Sequence, residues 1–145
     1  MSRSATVAAE LGLRLVVPGH GGVPLTASVC YRDDDPYAIR MSFHVGMDDP
    51  VEWLFARDLL AVGMQTPVGE GDVRVWPAHG ATDVLFLHLR APSGEALFEL
   101  SRATVAGFLR ETEALVPTGA ETTMLALDEE LQALLSGGGA DPTAR

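Results

Sequence analysis

Apolar and polar residues alternate along much of the chain. Leu11, Leu13 and Leu15, for example, are separated by Gly12 and Arg14. A period of two places the apolar side chains on one face of a β-strand. Clusters of Pro, Gly and Asp interrupt the alternation and predict turns. The pattern predicts strands over residues 7–17, 25–31, 39–45, 51–55, 73–76, 84–90 and 95–100.

Three segments follow the 3.6-residue period of a helix instead. A short helix is predicted from Asp58, closed by Gly63 in the left-handed conformation. Ser101 is placed to cap a second helix, whose apolar stripe continues until Pro117. A last helix is predicted from Asp128, and its leucines are expected to face inward. These leucines are Leu131, Leu134 and Leu135, and the helix is expected to end at the glycine run 137–139.

The order of these elements, strands followed by a helix and then the same again, predicts an α+β fold with mainly antiparallel pairing. Residues 52–55 and 95–98 are a weak sequence echo, each in the last strand before a helix. A chain of 145 residues is long enough to bury a substantial core. We expect one domain over residues 1–136 and a flexible C-terminal tail over residues 137–145.

Charge and composition narrow the possible functions. The chain has 20 acidic and 10 basic residues, a net charge of -10, so a nucleic acid would meet net repulsion. No apolar run approaches the ~20 residues that a membrane span requires. Cys30 is the single cysteine, which agrees with a reducing cytosol. All ten basic residues are arginine, which indicates a high-GC, bacterial genome. Because the net charge disfavours nucleic acid, protein partners are favoured.

The charged pair Arg57 and Asp58 interrupts an apolar run at the point where a strand gives way to a helix. A carboxylate in the first turn can accept backbone N–H groups and oppose the positive end of the helix dipole, typically worth ~1 kcal/mol. No histidine, cysteine or serine lies close in sequence to complete a nucleophile and base. The pair is therefore interpreted as structural rather than catalytic.

The other candidate groups also lack a recognisable chemical pattern. The four histidines do not show a metal-ligand spacing such as HxxxH or HExxH. The glycine-rich segments 19–22 and 69–71 lack the spacing of phosphate loops and are interpreted as hairpin turns. The acidic run 33–35 lacks the alternating ligands of a calcium loop and is interpreted as a solvated turn. We predict no catalytic residue, no metal and no cofactor.

Trp53 and Trp76 raise the possibility of a base-stacking platform, because aromatic side chains stack with single-stranded nucleic acid. Such platforms are surrounded by basic residues, whereas the arginines of this chain are spread singly among the strands. Packing in the core or at a subunit interface is the preferred interpretation.

Four segments carry a family resemblance. In chain order they are 35–40 (DPYAIR), 51–60 (VEWLFARDLL), 71–77 (GDVRVWP) and 94–99 (GEALFE). Together they resemble the SsgA-like family of morphologically complex actinomycetes, closest to its SsgB branch, over about residues 9 to 135. The resemblance implies a sporulation-associated cell division protein rather than an enzyme. The family motif residues carried over to this chain are Trp53, Arg57, Asp58, Leu59, Leu60, Gly71, Asp72, Val73, Arg74 and Trp76.

The resemblance also implies partners. Members of the family help to place septa, which suggests recruitment of the tubulin-like division protein FtsZ together with an SsgA-type partner at the cytoplasmic side of the septum. It implies a Whirly-like fold and a homo-oligomer, with a trimer favoured. The alternative is a Whirly-like single-stranded nucleic-acid-binding protein, which the acidic charge disfavours. The motif residues are interpreted as structural, and no residue is assigned to partner binding.

Overall fold

The computed structural model describes residues 5–44, 49–80 and 82–136. The predicted tail at 137–145 lies outside the described residues. Eight strands and three helices are present in the described part of the chain. The strands are β1 Thr6–Leu15, β2 Val23–Arg32, β3 Asp35–His44, β4 Val51–Ala56, β5 Val68–Glu70, β6 Val73–Pro77, β7 Val84–Ala91 and β8 Gly94–Ser101. The helices are α1 Arg57–Gly63, α2 Arg102–Leu115 and α3 Glu121–Ser136.

All eight strands form one antiparallel sheet in the order β4-β3-β2-β1-β8-β7-β6-β5. Each half of the chain contributes four strands in series and then a helix. The halves join where β1 pairs with β8, over Leu13 to Leu15. This arrangement confirms the predicted α+β class and its antiparallel pairing.

One face of the sheet is buried, and the sheet curves so that this face is on the inside. Alternation in β2 and β3, for instance, turns Val29 and Met41 inward and leaves Arg40 on the outer face. The rings of Phe43 and Phe98 stack at 4.7 Å although two strands separate β3 from β8 in the sheet, so the inner face is concave. Helix α2 closes the core over β1 and β8, and α1 packs against both ends of the sheet, β3–β4 and β5–β6.

The predicted cap of α2 is confirmed and has a second member. Ser101 Oγ accepts a hydrogen bond from the backbone N–H of Thr104 at 3.2 Å. Asp83 accepts from the Ser101 hydroxyl at 2.7 Å and from the Ala103 N–H at 2.8 Å. These bonds lower the pKa of Asp83, with the Ser101 bond the largest cause. A carboxylate from the loop between β6 and β7 therefore anchors the start of the helix.

Gly63 does not close α1 in the left-handed conformation, so that prediction is wrong. The residue is helical, and the C-cap Met64 has ordinary right-handed angles. A Cβ at Gly63 would lie 2.5 Å from Cβ of Val75 and closer still to its Cγ1. Glycine is therefore required here by the close approach of helix and strand.

The structure also differs from the sequence predictions at α3 and at β5. Helix α3 begins at Glu121, seven residues before Asp128, and Leu131, Leu134 and Leu135 are 46%, 71% and 53% exposed instead of facing inward. Strand β5 was not predicted, because its three residues include Gly69 and are too short to show a period. Strands β5 and β6 form a hairpin. Its turn, predicted over residues 69–71, falls on residues 71 and 72 instead, and Gly71 has a φ of +61°.

Candidate functional site

Arg57 lies at the junction of the three helices. It belongs to the group of motif residues within segment 51–60, which we call the first family motif. It is the first residue of α1 and only 3% exposed. Its Nη1 donates to the carbonyl oxygens of Thr112 at 3.1 Å and Val116 at 2.7 Å, at the C-terminal end of α2. Because helix C-termini carry unsatisfied carbonyls and partial negative charge, a buried guanidinium satisfies both. Arg57 therefore ties α1 to the end of α2.

The second nitrogen of Arg57 binds the start of α3. Nη2 donates to Oε2 of Glu121 at 2.7 Å, and the carboxylate of Glu113 lies 4.0 Å from Nη1. This hydrogen bond is the largest cause of the lowered pKa of Glu121. The other oxygen of Glu121 accepts the Gly119 N–H at 2.8 Å. The buried cation is thus paired and hydrogen-bonded, as burial of a charge requires.

Tyr31 forms the floor of this junction on β2. The guanidinium carbon of Arg57 lies 4.8 Å from the centre of the tyrosine ring, within the range of a cation–π contact. The Tyr31 hydroxyl donates to the Pro36 carbonyl at 2.9 Å. Burial raises its pKa to about 12, with Arg57 acting in the opposite direction. Tyr31 is accordingly a neutral packing partner at physiological pH.

Asp58 takes no part in the junction. The two neighbours point apart, with Arg57 buried and Asp58 exposed. The N-cap of α1 is Ala56, which makes no side-chain cap hydrogen bond, so the expected capping by Asp58 is wrong. Its carboxylate remains in the first turn, where it opposes the helix dipole. The remaining members of the first motif pack on the core, with Leu59 and Leu60 buried and Trp53 partly buried.

The motif residues within segment 71–77, which we call the second family motif, form the turn and the second strand of the β5–β6 hairpin, whose outer face borders a cleft. Gly71 and Asp72 make the turn, and Val73 points into the core. Arg74 and Trp76 lie on the opposite face of β6, and the ring of Trp76 stacks on Phe86 at 5.5 Å. We call the adjoining depression the outer cleft. Its volume is about 560 Å³, and it is lined by Pro67, Val68, Gly69, Gly71, Arg74, Trp76, His88 and Leu97.

His88 and Leu97 enter the outer cleft through strand register. Arg74 pairs with His88 across β6 and β7, and His88 pairs with Leu97 across β7 and β8. Nε2 of His88 lies 2.7 Å from Oε1 of Glu95, so this imidazole already has a carboxylate partner. In the sequence, the only sign of this role was that His88 occupies a polar position in the alternation of β7, which places it on the outer face. Nothing local to the sequence showed that it would meet Arg74.

The other histidine contacts are dispersed. His44 bonds to Ser28 Oγ at 2.9 Å on a different part of the sheet. Within residues 5–44, 49–80 and 82–136, no three His, Cys, Asp or Glu side chains come together in a way that could hold a metal ion. Among the helices of the same ranges, none is long and apolar enough to cross a bilayer.

A family model and several known proteins match most of this chain in sequence. A family model described as Streptomyces sporulation and cell division protein, SsgA, matches residues 25–121. Sporulation-specific cell division protein SsgB of Frankia casuarinae is 50% identical over 94% of this chain and 96% of its own length. The protein of the same name from Thermobifida fusca is 47% identical over 94% of this chain and 100% of its own length.

Two solved structures have the same fold. The SsgA-like sporulation-specific cell division protein from Thermobifida fusca has a TM-score of 0.83 at 44% identity, covering 93% of this chain and 100% of that one. A structure from work relating mutations in SsgB to longitudinal cell division during sporulation of Streptomyces coelicolor has a TM-score of 0.81, also at 44% identity. It covers 86% of this chain and 98% of that one.

Fold and sequence together define a class, the small α+β proteins of actinomycete sporulation and cell division. The chain belongs to the SsgA-like family, and the two relatives from Frankia casuarinae and Thermobifida fusca carry the SsgB name. The resemblance carried by the four sequence segments is confirmed. The residues that bind Arg57 were not visible from the local sequence, because Thr112, Val116 and Glu121 lie 55 to 64 residues beyond it.

Proposed function

We propose that this protein is a non-enzymatic adaptor that helps to place sporulation septa by binding the FtsZ division machinery. The observation that carries the proposal is the match to SsgB proteins along nearly the whole chain, at 50% and 47% identity. The protein works at the cytoplasmic side of the septum as a homo-oligomer, with a trimer favoured, together with an SsgA-type partner. Arg57 supports a structural interpretation of the first motif, because the helix junction occupies its donors.

Co-sedimentation with polymerised FtsZ tests the central step. We expect the protein to pellet with FtsZ polymers assembled with GTP and to remain in the supernatant when GDP prevents assembly. A fluorescent fusion should coincide with sporulation septa in the native host, and sedimentation equilibrium should report the mass of a trimer. Absence of both co-sedimentation and septal fluorescence would exclude the FtsZ role.

A second candidate is binding of single-stranded nucleic acid through the outer face. The observation that favours it is the stacked pair of Trp76 and Phe86 beside Arg74. Aromatic rings next to a cation are the elements of a base-stacking groove. Titration of labelled oligothymidine at low salt decides, because binding that weakens as salt is added would support this candidate.

A further inference from the structure

The outer cleft combines three properties of a peptide-binding site. It is open to solvent on the outer face of the sheet, while α1 packs on the inner face through Gly63 against Val75. Its volume of about 560 Å³ lies within the range of small-ligand and side-chain pockets. Its lining contains an arginine and a tryptophan, the residue types enriched where protein interfaces concentrate their binding energy.

Arg74 supplies the charge. Its side chain is exposed, and among the described residues it makes no ion pair, in contrast to Arg57. The stem of Arg74 lies over Gly69, where an added Cβ would come within 2.7 Å of the arginine Cγ. The glycine thus provides the space in which the side chain rests. A guanidinium positioned in this way presents a fork that matches a carboxylate.

Trp76 and Leu97 supply the apolar surface. Stacking on Phe86 holds the indole in place, so little side-chain entropy remains to be lost when a partner binds. Leu97 is on the same outer face, two strands away from Arg74 in the register. An apolar side chain against Trp76 and Leu97 would bring its neighbours in sequence close to Arg74.

Charge decides between a peptide and a nucleic acid. Glu95 lies beside His88, and Glu99 follows Phe86 in the register from Trp76, so both carboxylates are on β8, two strands away from Arg74. A phosphodiester chain would bring several charges past these groups and past a protein of net charge -10. A single carboxylate next to apolar side chains requires only one cation. These negative groups oppose a chain of phosphates more strongly than one carboxylate, so a segment with a single acidic residue beside apolar side chains fits Arg74 better than a nucleic acid does.

We propose that the outer cleft binds a linear segment of a partner protein in which an acidic residue pairs with Arg74 and an apolar residue packs on Trp76. The inference rests on the proposed function, since the partner that it assigns to the cleft is a component of the division machinery. It goes beyond that function by naming the surface and the chemistry of the segment.

The first test uses the full chain and polymerised FtsZ. Arg74→Glu should weaken co-sedimentation by about tenfold or more, whereas Arg74→Lys, which keeps the charge but not the fork, should weaken it less. Arg110→Glu, at an exposed arginine of α2, is the matched control for net charge and should bind like the parent. Binding of the Arg74→Glu variant equal to the parent would overturn the inference while leaving the proposed function intact.

The second test does not depend on FtsZ. Labelled peptides in which Asp flanks Leu or Phe are titrated by fluorescence anisotropy, next to peptides with Asn in place of Asp. We expect the acidic series to bind more tightly than the neutral one and to lose this preference with Arg74→Glu. If FtsZ fails to bind the parent, the proposed function fails, and this comparison alone decides the inference.

Two results of the peptide test would overturn the inference. One is equal binding of the acidic and neutral series to the parent protein. The other is tight binding of labelled oligothymidine that is lost in Arg74→Glu, which would assign the cleft to nucleic acid. Circular dichroism of each variant accompanies both tests, so that a folding defect is not mistaken for lost binding.

Discussion

Arg57 and Arg74 belong to the two family motifs, yet the protein uses them in opposite ways. Arg57 is buried and hydrogen-bonded to the end of α2 and the start of α3, whereas Arg74 is exposed beside an open cleft. Removing the Arg57 side chain would leave the carbonyls of Thr112 and Val116, and one carboxylate oxygen of Glu121, without the donor that they share. Removing the Arg74 side chain would leave the interior unchanged. The contrast shows that a motif arginine acquires its role from what the fold places around it.

The largest expected effect is that of Arg57→Ala on stability. The change leaves Glu121 and the last carbonyls of α2 without their donor, and breaking a buried pair in this way typically costs about 3–5 kcal/mol. Urea unfolding followed by circular dichroism measures the free energy of unfolding. Arg57→Lys, which keeps the charge but not the fork, should recover only part of the loss. An unchanged unfolding midpoint and oligomer size, with partner binding lost, would overturn the structural interpretation.

Gly63→Ala should have the next largest effect. Its methyl group would collide with Val75 where α1 meets β6, and overpacking of this kind costs about 1–3 kcal/mol. The loss is measured by thermal unfolding. Val75→Ala should relieve part of it in the double variant, even though Val75→Ala alone opens a cavity. If the loss in the double variant equalled the sum of the two single losses, helix and strand would not touch as closely as the structure shows.

Glu121→Gln should remove a pH-dependent part of the junction's stability, about 1 kcal/mol at neutral pH. The folded pKa of Glu121 is lowered, so its contribution is present above the ordinary glutamate pKa and is lost as pH falls through the folded value. Gln does not titrate. The difference in free energy of unfolding between parent and variant should therefore shrink steadily as the pH is lowered below about 4.5. A difference that is constant from pH 7 to acid would contradict the ion pair.

The smallest expected effect on stability is that of Arg74→Ala. The side chain is exposed and makes no ion pair within the described part of the chain, so the free energy of unfolding should change by less than about 0.5 kcal/mol. Chemical denaturation beside Arg57→Ala gives the direct contrast. A loss as large as that of Arg57→Ala would remove the distinction between the two arginines.

The strands were the most predictable part of the fold. Seven of the eight follow the alternation of apolar and polar residues, and the cap at Ser101 was also visible. The errors occur where local pattern and packing disagree. Gly63 looked like a helix terminator but is needed for close contact with Val75. The leucines of α3 looked like a core stripe but are exposed, because the sheet and the other helices already enclose the core.

The candidate site was less predictable than the fold. The motif positions were identified, but their roles were not separable, since each motif presents an arginine and a tryptophan in an amphipathic segment. Burial of Arg57 depends on α2 and α3, which follow it by more than 50 residues. The outer cleft depends on the register that brings His88 beside Arg74 and Leu97 beside His88.

The amino-acid sequence by itself determined the α+β class, the strand faces, the acidic net charge and the family, because period, composition and motif are local properties of a chain. Only the tertiary structure decided which arginine is buried and which is exposed. That distinction depends on contacts between residues far apart in the chain, and such contacts exist only after the sheet has curled and the helices have packed against it.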